Sequence, residues 1–229
     1  MAGHVITVSG PISPRAMGLT LPHEHVMADF IGADKTGKHR YRPDEVVSTM
    51  LPYLTDARAQ GVQTFVDCTP MYLGRDAEVL RTISDLTGLQ ILTNTGQYKE
   101  PHLPAETFEF EAEALAAGWI REFEEGIDGT SIKPGFIKTA VEPESLTRTQ
   151  QKITKAAALT SRATGLAIAT HTGVAVAAME VLDILEAIGV SPDRWIFVHA
   201  QNEPNSGLLV QVAKRGAWVS LDGDRTRQG

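Results

Sequence analysis

Two histidines spaced i, i+2 carry the first chemical signal, in the stretch Leu19-Thr20-Leu21-Pro22-His23-Glu24-His25-Val26. An extended strand puts both imidazoles on one face and Glu24 on the other. Imidazole is the commonest protein ligand for a transition metal, and a same-face pair can chelate one ion. A lone His-x-His is weak evidence. Three later segments strengthen it: Gly135-Phe136-Ile137-Lys138, Ala167-Ile168-Ala169-Thr170-His171 and Ile196-Phe197-Val198-His199. Each is an apolar run with a potential ligand at its C-terminal end. Taken singly, His171 and His199 read more often as hydrogen-bonded core histidines than as ligands, and Lys138 more often as a solvated lysine at a strand end. Glu24 reads as a partner behind the site or, preferred here, as an outer-face group toward the helices. Asp67 reads as a carboxylate supporting a metal ligand or as a buried structural aspartate. His4, His39 and His102 fall in terminal or loop contexts and receive no role.

Such groups need rigid elements to carry them. Apolar runs at 18–26, 62–68, 90–95, 133–140, 166–171, 195–200 and 217–222 read as seven core strands. Helices are expected at 43–60, opened by Pro43, and at 75–87, 104–125, 146–164, 174–188 and 204–215. Ser145 is read as the opening of the fourth helix. Gly61, Gly88, Gly126, Gly165, Gly189 and Gly216 read as the stops. Before them, Val5-Ile6-Thr7-Val8 followed by Gly10-Pro11 reads as a short hairpin. Strands alternating with helices imply βαβ units and a parallel sheet, and continuous apolar strands imply that both faces are covered. No G-x-G-x-x-G or P-loop favours an open nucleotide-binding sheet. A (β/α)8 barrel gathers strand ends at one point, so it explains the distribution of histidines better than an open sheet. No repeat or linker divides the chain, and one domain over 1–229 is expected.

The bulk properties are those of an ordinary globular protein. A formal net charge of −7 and the lack of any basic run argue against nucleic acid or an anionic membrane as partner. No apolar run approaches a membrane span, and the first residues lack the order of a signal peptide. The single cysteine, Cys68, reads as a buried thiol in a reducing compartment, so a cytoplasmic protein is expected.

Gly10-Pro11-Ile12 followed by Gly18-Leu19-Thr20-Leu21-Pro22-His23-Glu24-His25 resembles the opening signature of the phosphotriesterase family, a branch of the amidohydrolase superfamily. The resemblance continues through Gly126-Ile127-Asp128-Gly129-Thr130, Lys133 to Lys138, Thr170-His171-Thr172-Gly173 and Val198-His199-Ala200, in order and over nearly the whole chain. It implies two divalent metals, zinc first, with manganese, cobalt or iron as substitutes. It also implies hydrolysis of a lactone, carboxylic ester or phosphotriester by a metal-bridging hydroxide. His23 and His25 would bind the more buried metal, and His171 and His199 the more exposed one. Lys138 would be carboxylated and bridge both. An ammonium only donates and cannot ligate, whereas a carbamate offers two oxygens and a negative charge. Tyr98 would line the substrate pocket, as in the lactonase-like branch. The partners expected are a small ester or lactone and a second copy of the chain in a homodimer.

The chain departs from the family pattern at one point. Members carry a further aspartate at the end of an eighth strand, and this reading counts seven. Asp222 ends the seventh strand and Asp224 follows in the tail, so neither inherits that role by motif. The expectation is therefore a barrel truncated at its C-terminus, marginal in stability and slow in turnover. The competing reading is a non-catalytic metal-binding fragment.

Overall fold

A computed structural model describes residues 3–223; Asp224 lies outside the described residues. The elements follow one another as β1 (Val5–Thr7), β2 (Gly10–Ile12), β3 (Leu19–Glu24), α1 (Pro43–Ala59), β4 (Val62–Asp67), α2 (Ala77–Thr87), β5 (Gln90–Leu92), β6 (Asn94–Thr95), α3 (Ala105–Glu109), α4 (Ala112–Glu125), β7 (Phe136–Ala140), α5 (Arg148–Thr164), β8 (Ile168–His171), α6 (Ala175–Ile188), β9 (Trp195–Val198), α7 (Ser206–Lys214) and β10 (Trp218–Val219). This is an α/β fold with parallel sheets and, among the described residues, seven α-helices.

The helix ends follow local chemistry. Asp76 caps α2 by accepting from the backbone N–H groups of Glu78 and Val79, and Gly88 closes the helix in the left-handed region. Gly165 and Gly189 close α5 and α6 in the same way. The opening of α5 differs from expectation: Thr147, not Ser145, forms the cap, in a reciprocal capping box with Gln150. The helix expected over 104–125 is divided, because Phe110 adopts an extended backbone between α3 and α4. The third core strand is likewise divided, into β5 and β6 around Thr93.

The chain forms two compact units. The first holds the residues up to Thr95 together with Arg121–Phe136, and the second holds Gly96–Ile120 and the described residues from Ile137 on.

In the first unit, β1 and β2 form an antiparallel hairpin, and β3, β4 and β5 form a parallel sheet in that order. Val62, Phe65, Leu80, Ile83, Ile91 and Ile127 anchor its core. Arg75 is buried there and bonds Glu122 with both terminal nitrogens, at 2.6 and 2.9 Å. It also donates to the Asn94 carbonyl at 2.8 Å.

In the second unit, β7, β8, β9 and β10 run parallel, each beside the next. Small residues let α5 and α6 approach closely, Ala156 and Ala157 on one and Ala177 and Ala178 on the other, all at most 1% exposed. Trp195 stacks on Phe197 with ring planes 5° apart. The Trp195 indole donates to Thr170 Oγ1 at 2.8 Å.

Candidate metal centre

The first group of candidates sits at the end of β3. Leu21 pairs with Phe65 and Glu24 with Asp67, so three steps on β3 match two on β4. The extra residue lies at Pro22-His23, where proline has no N–H to offer the ladder. A bulge of this kind re-aims the side chain that follows it. Glu24 shares a face with its partner Asp67, opposite to His23 and His25. The two imidazoles meet edge to face with centroids 5.3 Å apart.

Behind this pair lies a polar floor. Asp67 is 1% exposed and accepts from the backbone N–H of Val26 at 2.8 Å and of Thr69 at 2.9 Å. Burial pushes its carboxyl up to about 6, against the pull of those bonds. With its oxygens engaged by the backbone, Asp67 holds the chain on either side of the histidines' strand end. His25 Nδ1 lies 2.9 Å from Thr69 Oγ1.

The second group is carried by β7, β8 and β9. Lys138 pairs with Ala169, and Ala140 with His171. Strand residues two apart share a face, so Lys138 and His171 share one. Thr139 and Thr170 point to the other face, where their hydroxyls bond at 2.9 Å. Lys138 is 1% exposed on a strand buried throughout. Gly96 makes room for it: a Cβ there would stand 2.3 Å from the Lys138 carbonyl oxygen, and its φ of +104° suits only glycine.

His171 ends β8. Its ring contacts His199 edge to face at 4.6 Å and Tyr98 at 5.5 Å. Burial pushes the Tyr98 phenol up to about 12, so it stays neutral and able to donate. His199 follows β9 with φ +60° and ψ +33°, a left-handed backbone that is rare outside glycine and clusters at functional sites. The Asp222 carboxylate holds it there: Oδ1 lies 2.7 Å from His199 Nδ1, and Oδ2 accepts from the His199 N–H at 3.3 Å. Gln201 and Ser220 donate to the same carboxylate at 3.3 and 2.9 Å. Only 2% of the Asp222 side chain is exposed.

The structure thus brings His23 to His25, and Tyr98 and His199 to His171, with Lys138 on the His171 face. Sequence reasoning missed the part played by Asp222, which it placed at a strand end and gave no metal role, and that of Thr69, which it did not single out. For Asp222 a signal existed, a carboxylate just beyond the last apolar run. For Thr69 none did.

The family model described as the phosphotriesterase family matches residues 3–225. The chain is 30% identical over 212 residues to the aryldialkylphosphatase of Saccharolobus solfataricus, covering 92% of this chain and 68% of that one. It is 30% identical over 206 residues to the phosphotriesterase homology protein of Escherichia coli, covering 90% and 70%. It is 24% identical over 251 residues to the N-acetyltaurine hydrolase of Xenopus tropicalis, covering 97% and 72%. With the strand-end histidines, the buried lysine and a match over nearly its whole length, the chain belongs to the phosphotriesterase family.

Proposed function

We propose that the chain is a metal-dependent hydrolase of ester bonds, acting on a lactone, a carboxylic ester or a phosphotriester. The observation that carries this reading is the seating of His199. A buried carboxylate takes its Nδ1 and leaves Nε2 as the ligating atom, the arrangement that orients imidazole for a metal. The donors in each unit are of the types that fit divalent zinc: imidazoles from His23 and His25 in the first, and from His171 and His199 with an anionic oxygen group on Lys138 in the second. Two such ions, when bound, polarise a carbonyl or phosphoryl oxygen and lower the pKa of bound water.

The chain's own residues set the terms of that chemistry. Lys138 lies deep in β7, where an ammonium is costly. Carbon dioxide adding to its neutral Nζ, with loss of one proton, forms an N–C bond, keeps one N–H and adds two carbamate oxygens that share a negative charge. Tyr98, a neutral phenol against His171, supplies a hydrogen-bond donor to a substrate oxygen beside the second histidine pair. The names of relatives, an aryldialkylphosphatase and an N-acetyltaurine hydrolase, support hydrolysis across several leaving groups. The buried Cys68 fits a reducing cytoplasmic setting, and no helix among the described residues is long and apolar enough to cross a membrane. A panel of lactone, aryl carboxylic ester, phosphotriester and N-acetyl amide tests the class. Ester or lactone turnover dependent on zinc supports it; turnover of the amide alone contradicts it.

A further inference from the structure

His25 is exposed, and an exposed imidazole in water samples both neutral tautomers. Here one of its nitrogens is tied to a residue that has no freedom. Thr69 is 1% exposed, and each of its polar atoms is committed. Its N–H donates to Asp67 Oδ1 at 2.9 Å, and its carbonyl accepts from Asn94 Nδ2 at 3.0 Å. Its hydroxyl lies 3.0 Å from the Met27 carbonyl oxygen, which can only accept. The hydroxyl has one proton, and two oxygens that accept compete for it, the Met27 carbonyl and the Asp67 carboxylate. With its proton drawn to one of these oxygens, Thr69 Oγ1 faces His25 Nδ1, 2.9 Å away, with a lone pair, which favours the hydrogen on Nδ1. A neutral imidazole protonated on Nδ1 has its lone pair on Nε2.

The support runs deeper. Asn94 is fully buried, and its side-chain amide also donates to the Asp67 backbone carbonyl at 3.0 Å, while the Asn94 backbone carbonyl accepts from Arg75. Both amide bonds run to carbonyl oxygens, which fixes the orientation of the Asn94 side chain. We propose that Thr69, braced by Asn94, is the positioning residue that fixes His25 as its Nδ1–H tautomer and turns the Nε2 lone pair to a divalent metal. The proposal rests on the metal-centre reading above. It names a neutral oxygen behind His25, in contrast to the carboxylate behind His199.

The test is the tautomer itself. Two-bond nitrogen–proton correlation of the metal-stripped protein, above the imidazole titration range, distinguishes Nδ1–H from Nε2–H for His25. The proposal expects Nδ1–H in the unaltered chain. An Nε2–H ring there overturns it, even if no variant folds. Thr69→Val keeps the shape and removes the hydroxyl; it should release the tautomer preference and weaken zinc binding about 10–100-fold. Thr69→Ser keeps the hydroxyl and should retain both the tautomer and most of the affinity. Equal losses in the valine and serine variants would assign the effect to packing and overturn the proposal. A wild-type Nδ1–H ring in a chain that takes up no zinc would refute the metal reading and leave the tautomer assignment standing.

Discussion

Replacing Lys138 by methionine separates a structural lysine from a ligand-bearing one. The two side chains are similar in length, and the position is 1% exposed on a strand whose five residues are all buried. Methionine therefore fills the space without a charged end. Buried charged groups replaced by apolar residues of similar volume are often neutral or stabilising, by about 1–4 kcal/mol. Lys138→Ala, by contrast, opens a cavity and should cost about 2–5 kcal/mol. Metal uptake should behave differently: both variants lose the carbamate oxygens and should lose most of their bound zinc. Short carboxylates such as formate or acetate have room to enter beside the alanine but not beside the methionine, and should restore part of the metal only in the former. Urea unfolding of the chelated protein gives the stability difference, and elemental analysis gives zinc per chain. A methionine variant that holds zinc as well as the parent, or that loses more than about 2 kcal/mol without metal, would refute the reasoning.

Three further outcomes are expected. Asp222→Asn leaves an amide where four donors now converge on a carboxylate, and should weaken zinc binding about 10–100-fold in a competition titration. Arg75→Ala strands the Glu122 carboxylate, only 13% exposed, and should cost about 3–5 kcal/mol in urea; Arg42→Ala, at an exposed pair with Asp44, should leave the unfolding midpoint unmoved. The Arg40 guanidinium, hydrogen-bonded to Asp29, holds that carboxyl below the usual range, so the pair's contribution is present at neutral pH and fades as pH falls through the folded titration. Carbon-detected titration should show Asp29 moving back up toward its ordinary value in Arg40→Gln.

The sequence was most legible where a short-range rule decides the outcome. Gly88, Gly165 and Gly189 stop helices because they take left-handed backbone that other residues resist. Apolar runs bounded by those stops became parallel strands, with His171 at the end of β8 as expected and Lys138 in the middle of β7 rather than at its end. The rest depends on partners far along the chain. No proline or glycine marks the break at Phe110. A nearby anchor is tertiary: the buried hydroxyl of Thr107, three residues before Phe110, donates to Gln97 Oε1 at 2.8 Å. The bulge at Pro22-His23 shows only in the pairing with β4. Thr69 is an ordinary loop threonine until the strand ends place it 2.9 Å from an imidazole 44 residues away. Asp222 lies 23 residues from His199, and counting strands assigned it a place without revealing its partner.

The central proposal is that hydrolysis by this chain depends on bound metal. Its most direct test follows zinc content and ester or lactone turnover together, as the chelated protein is titrated back with zinc. The account predicts that turnover, however slow, vanishes on chelation and returns in proportion to zinc up to two ions per chain. Hydrolysis that survives complete chelation, or zinc bound to two equivalents with no turnover on any ester, would contradict it.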